Sequence, residues 1–128
     1  MRSRDFKDLQ VWQKAMEAAR LTYLLSKKLP KEETYALSDQ MRRCAVSIAS
    51  NIAEGQQRNS ANEFKHFIGI AQGSIAELQT QLLLAKDFDY LTDKEIEPTF
   101  SLLEEIGKML FVLSQSIDTP TINTKNQT

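Results

Sequence analysis

Three side chains invite a test for chemistry: the single histidine His66, the single cysteine Cys44, and the Ser74 hydroxyl after Gly73. A catalytic imidazole works on a nucleophile within hydrogen-bond reach and is oriented by a third group. No Ser/Asp spacing around His66 supplies these. A nucleophile elbow needs a strand–turn–helix setting, and Gly73-Ser74 lies inside a helical pattern. Metal centres gather several His, Cys or carboxylate ligands. Glu63-Phe-Lys-His66 has the Glu-x-x-His spacing of a bundle-borne metal site once, where such sites use two copies. No glycine-rich phosphate loop is present. Cys44 falls on an apolar helical row and reads as a small core residue; His66, beside Phe67, reads as a surface or boundary residue. The sequence therefore predicts no catalytic, cofactor-binding or metal-binding residue, no small-molecule substrate and no enzyme.

The most informative polar pattern is a stripe. At 100° per residue, Glu33, Gln40, Arg43, Ser47, Asn51, Glu54 and Arg58 fall in one sector that borders an apolar row instead of opposing it. One reading is a solvated flank held by i,i+4 pairs such as Glu54 with Arg58. The other is a satisfied hydrogen-bond network that fixes helix register or a subunit interface, because a polar group left unpaired beside a core costs about 1–3 kcal/mol. Arg42 points away from the stripe's centre and is expected to be exposed. Arg42, Arg43, Arg58 and Lys65 form a loose basic group able to touch phosphates. A second such group, Lys14, Arg20, Lys27, Lys28 and Lys31, follows the first helix. Neither has the aromatic interleaving of a single-strand reader, and taken alone both groups read better as solvated charge.

These residues must be carried by helices. Leu9, Trp12, Met16, Ala19 and Tyr23 recur at three-four spacing over about 8–28, with Leu25 and Leu29 on the neighbouring row. Asp8 is placed as the N-cap of that helix or as an acid of its first turn, and Pro30 ends it. Leu37, Met41, Cys44, Ile48 and Ile52 form the row of a second helix. It begins either after Pro30 or with Ser38 as N-cap, and Gly55 near its end marks a cap or a close approach. Ser60-Ala-Asn-Glu63 is a capping box opening a third helix, whose row is Phe64, Phe67, Ala71, Ile75 (or Ser74), Leu78, Leu82 and Ala85. Gly69 and Gly73, four apart on that helix, predict a closely packed backbone there, since each glycine otherwise costs up to about 1 kcal/mol. Thr92-Asp-Lys-Glu95 is a second capping box, with Leu91 and Ile96 as its staple. Pro98 predicts a kink or a delayed start. Leu103, Ile106, Leu110, Leu113 and Ile117 complete the seam. The fold class is all-α, an antiparallel up-and-down four-helix bundle over residues 1–118, with a flexible polar tail at 119–128.

Composition agrees. Of 128 residues only four are Gly and three Pro, so sharp turns are few. One cysteine precludes an internal disulfide, and no apolar run approaches the ~20 residues of a membrane span. A cytoplasmic protein without a membrane partner is expected. The net charge of −1 hides an asymmetry: residues 1–58 carry eleven Lys/Arg against seven Asp/Glu, and residues 59–128 five against ten. Opposite-sign halves suit hairpins packed side by side, or copies packed on one another.

Several blocks together resemble one family. They are Asp8-Leu-Gln-Val-Trp12, Pro30-Lys-Glu-Glu33 followed by Tyr35 and Leu37, Gln40-Met-Arg-Arg43, Ser47-Ile48 with Asn51-Ile-Ala-Glu-Gly55 and Arg58, and Ala71-Gln-Gly-Ser74 with Glu77-Leu78. Over about residues 5–117 the chain is similar to the bacterial four-helix-bundle family of 23S rRNA intervening-sequence proteins. This ribosomal-protein-like group includes the accessory protein of diversity-generating retroelements. The resemblance implies an up-and-down bundle assembling into a barrel-like homopentamer and associated with RNA or with a nucleic-acid-processing protein. It implies structural or assembly roles for Gln40, Arg42, Arg43, Asn51, Glu54 and Gly55. The net charge departs from the strongly basic accessory members and implies weak or conditional RNA association. A protein–protein adaptor without direct RNA binding is the alternative.

Overall fold

The computed structural model describes residues 5–118. Four α-helices follow one another: α1 (Gln10–Ser26), α2 (Leu37–Gln56), α3 (Ala61–Asp87) and α4 (Asp93–Asp118). Short 3-10 turns, Phe6–Asp8 and Lys31–Glu33, precede α1 and α2. Among the described residues there is no strand, and no helix is long and apolar enough to cross a membrane. Sequence neighbours pack side by side, and α1 closes the square against α4. The diagonal pairs α1–α3 and α2–α4 stand farther apart, with no Cα atoms within 8 Å of each other among the described residues. The expected four-helix bundle is therefore present; the expected tail at 119–128 lies outside the described residues.

The helix ends follow local chemistry. Ser60 Oγ accepts from the Glu63 N–H at 3.0 Å. At α4 both halves of the box are made: Thr92 Oγ1 accepts from the Glu95 N–H at 3.1 Å, and the Thr92 N–H donates to Glu95 Oε1 at 2.9 Å. Leu91 and Ile96 are both buried beside it, as a hydrophobic staple requires. The helix starts at Asp93 and runs through Pro98, so its start is not delayed. Asp8 does not cap α1. Asp5 caps the preceding turn instead, and Leu9 stands at the α1 N-cap without a side-chain bond. α2 starts at neither predicted point. Its N-cap is Ala36, and Glu33 reaches forward to accept from the Leu37 N–H at 3.3 Å. Ser38, buried, donates to the Ser26 carbonyl. α3 ends with Asp89 in the left-handed region, at φ 63. The Tyr90 N–H then reaches the Ala85 carbonyl and the Asp89 N–H the Lys86 carbonyl, the paired bonds of a Schellman cap.

The core is built from Met41, Ile48 and Ile52 of α2, Phe64, Ile68, Leu78 and Leu82 of α3, and Leu103, Ile106 and Leu110 of α4, all buried. Each such side chain contributes about 1.5–3 kcal/mol on burial. α1 departs from expectation. Its core row is Val11, Ala15, Ala18, Thr22 and Leu25, rotated from the predicted one. The large residues Trp12 and Met16 only pack at its flank, and Tyr23 is exposed. Small residues at the centre of α1 let its backbone approach α2 and α4. Size and burial therefore part company on this helix.

Candidate functional site

The polar stripe divides into three parts. At its start, Glu33 lies in the 3-10 turn and not on α2. Its carboxylate takes the Leu37 N–H and the Tyr90 hydroxyl, the latter at 2.9 Å. The break at Ala36 takes Glu33 out of the helical phase on which the stripe was drawn. Gln40 is exposed, and Arg43 Nε donates to Asp39 at 2.8 Å, one turn back. At the other end Arg58 meets Glu54 at 2.6 Å and lays its guanidinium over the Phe67 ring, 4.9 Å from the centroid. Only the middle is a network between helices. Ser47 Oγ and Ser74 Oγ share a hydrogen bond of 2.9 Å across α2 and α3, and Asn51 Nδ2 donates to both the Ser47 carbonyl and its hydroxyl. Both anticipated forms, flank pairs and a register-setting network, thus occur on one stripe.

The network opens onto a shallow cleft of about 290 Å3 lined by Gln40, Arg43, Cys44, Ser47, Ser74, Glu77 and Gln81. Cys44 is buried at its floor, as expected of a core cysteine, and accepts from Gln81 Nε2 at 3.4 Å. Burial pushes its thiol above the ordinary value, with nearby Glu77 adding to the rise and the Gln81 bond opposing it. A thiol held protonated is a poor nucleophile and a poor metal ligand. Ser47 and Ser74 share a single hydrogen bond in which either hydroxyl can be the donor. The Ser47–Ser74 bond links α2 to α3 at this level of the bundle.

The basic residues do not form one patch. Arg42 is half-buried, not exposed. It donates to the Thr34 carbonyl at 3.1 Å and to Ser26 Oγ at 3.4 Å, pinning the α1–α2 connection. Arg43 shares that end of α2. Arg58 lies about 23 Å away along the helix, by the rise of 1.5 Å per residue, at the end where α3 begins and carries Lys65 in its first turns. Gly55 fixes that second end. A Cβ there would stand 2.8 Å from Phe67 Cβ and 3.0 Å from Phe64 Cδ1, so the close approach is real. Gly69 and Gly73 have nothing within 4 Å of such a Cβ, and the expected tight packing within the chain is absent there. His66 is exposed and edge-on to Phe67.

The surface features that spacing did not reveal are apolar. The α1/α2 side carries a groove of about 680 Å3 lined by Met16, Ala19, Arg20, Tyr23, Leu24, Val46, Ala49 and Ser50. On the opposite side, α3 and α4 present Leu83, Phe111 and Val112, with two further grooves along their seam. Leu24 is 58% exposed and Val112 65%. The available signal was an apolar residue lying off the core row of its helix, as Leu24, Val46 and Val112 do.

The family model for 23S rRNA-intervening sequence protein matches residues 7–112, from the first 3-10 turn to the last turns of α4. The chain belongs to the 23S rRNA-intervening sequence protein family. A crystal structure of a protein of unknown function from the S23 ribosomal protein family, from Bacteroides thetaiotaomicron, superposes with a TM-score of 0.76 at 29% identity. The alignment covers 82% of this chain and 98% of that one. Comparison with curated proteins gives no match. In this member of the family, Asn51 binds Ser47 and Gly55 seats two phenylalanines. Within the Asn51–Gly55 block, Gly55 marks the close approach of α2 to α3.

Proposed function

We propose that the protein is a non-enzymatic helical scaffold that works as a homo-oligomer, five copies on the family resemblance, with weak RNA or ribonucleoprotein association. The observation that carries the reading is the pair of apolar sides on the bundle. Monomeric proteins rarely leave contiguous apolar patches beyond a few hundred Å2 in water, and this bundle exposes Tyr23, Leu24 and Val46 on one side and Leu83, Phe111 and Val112 on the other. The non-enzymatic part of the reading is supported by the burial that raises the Cys44 thiol and by the hydrogen bond that Ser47 and Ser74 share. The lone buried cysteine suits a cytoplasmic setting. RNA association is supported by the family and by Arg43, Arg58 and Lys65. The pairing of Arg43 and Arg58 with carboxylates agrees with a weak, conditional contact.

Native mass spectrometry at micromolar concentration tests the assembly: a pentamer is expected, and a monomer rejects the reading. Filter binding of RNA across a salt series tests the second part. Phosphate contacts give affinity that falls as salt rises. Absent or salt-independent binding removes RNA and leaves a protein partner, sought by co-purification.

A further inference from the structure

We infer that copies of this chain meet head to tail, the α3/α4 face of one seated on the α1/α2 groove of the next, with Arg20 set between Glu97 and Glu104 of its neighbour. The inference rests on the self-assembly proposed above and assigns the two faces that make it.

Four observations lead there. First, two exposed apolar patches lie on different, opposite sides of the square of helices, because α1/α2 and α3/α4 share no helix. A third apolar groove, lined by Leu9, Val11, Met109 and Val112, runs along the α1/α4 side between them. A pair related by a two-fold axis would use one patch twice; two unlike patches on opposite sides suit a heterologous contact, which repeats until it closes. Second, the faces are of opposite charge. The exposed cation of the α1/α2 groove is Arg20. The α3/α4 groove beside Leu83 and Phe100 is lined by Asp93, Glu97 and Glu104. The adjoining groove of the same face adds one cation, Lys108, beside Glu104, so the face stays acidic on balance. Among the described residues, no carboxylate within the chain pairs with Arg20 and no cation with Glu97 or Glu104, while Asp93 is taken by Lys86. The whole chain follows the same division, with the basic excess in residues 1–58 and the acidic excess in 59–128.

Third, the levels agree. The bridges Lys14–Glu105 and Lys28–Glu95 tie α1 and its exit to α4 at two heights. Arg20, Tyr23 and Leu24 lie between those heights on α1, and Glu97, Phe100 and Glu104 lie between them on α4. Neighbours standing upright beside one another therefore bring apolar groove to apolar groove and cation to carboxylates without an axial shift. Fourth, the size is adequate. Two adjacent helices of about 20 residues offer a face roughly 30 Å by 20 Å, about 600 Å2, the lower end of what each partner of a stable interface buries.

Charge reversal tests the pairing, read by sedimentation or native mass spectrometry with far-ultraviolet circular dichroism as the check on folding. Arg20→Glu alone, and Glu97→Lys with Glu104→Lys, each place like charges together and should weaken assembly about tenfold or more. The triple variant carrying all three changes restores opposite charges at every junction, whatever the number of copies, and should regain the wild-type mass. The side chains are exposed, so helix content should hold throughout. Wild-type assembly that survives both reversals, or a triple variant that stays as weak as its parents, overturns the face pairing while self-assembly stands. A monomeric wild type overturns both.

Discussion

The Tyr90 hydroxyl donates to the Glu33 carboxylate across 2.9 Å, tying the α3–α4 connection to the α1–α2 connection at one end of the bundle. The left-handed Asp89 that closes α3 stands immediately before this tyrosine, and Glu33 in turn holds the first amide of α2. Accepting that hydrogen bond, the Glu33 carboxylate raises the phenol above its ordinary value of 10.0, with partial burial adding to the rise. The neutral phenol is the form the fold favours. Its contribution is therefore fully present below the unfolded value and is lost as pH climbs through the folded one. An ultraviolet titration should show a late phenolate phase, and Tyr90→Phe should remove it. A titration unchanged by that substitution would count against the contact.

The acid side is governed by a different residue. Glu95 accepts from Lys28 at 2.9 Å and from the Thr92 amide, and these bonds, the lysine first, hold its carboxyl below the ordinary 4.5. A depressed carboxyl contributes above its unfolded value and loses that contribution as pH falls through the folded value. Glu95→Gln keeps a capping side chain but loses the ion pair. The stability difference between wild type and variant should thus be widest at neutral pH and shrink below 4.5. Urea melts at a series of pH values would show it; a gap that widens in acid would refute the assignment.

Most of the fold could be read from spacing because α2, α3 and α4 bury large residues at regular intervals, and both capping boxes sit where their Ser or Thr and Glu require. α1 was misphased for a physical reason. Its innermost positions are Ala15, Ala18 and Thr22, which weigh little in any hydrophobic row, while Trp12, Met16 and Tyr23 flank the core. The stripe on α2 was legible as a stripe. Its division was not, because Ser47 finds Ser74 on another helix and Glu33 leaves the helical phase at Ala36. The apolar grooves needed the tertiary arrangement, which alone brings Leu24 of α1 beside Val46 of α2.

Gln81 holds a strained position in the polar seam. Its amide donates to Cys44 Sγ, but its buried Oε1 has no hydrogen-bond partner among the described residues. An acceptor stranded in this way costs about 1–3 kcal/mol. Methionine has a similar length and no such acceptor. Gln81→Met should stabilise the chain by about 1 kcal/mol in denaturant unfolding, and a loss of stability would show that the amide is better satisfied than its contacts indicate.

The glycines of α2 and α3 should respond to alanine with opposite signs. At Gly55 the new methyl would stand 2.8 Å from Phe67 Cβ, an atom fixed to the α3 backbone that cannot swing away. Relief requires α2 and α3 to separate, which disturbs Phe64 in the core and the stacking of Arg58 on Phe67. Overpacking of this kind costs about 1–3 kcal/mol. Gly69 and Gly73 face open space in the middle of a helix. Alanine there lowers the entropy of the unfolded chain without a clash and should stabilise by about 0.5–1 kcal/mol at each position. Thermal melts of the three single variants, monitored by helix signal, decide the matter. If Gly55→Ala melted no lower than wild type, the α2–α3 approach would have to be looser than its atoms allow. A fall at Gly73 together with loss of assembled mass would instead mean that a neighbouring copy, not this chain, occupies the space beside it.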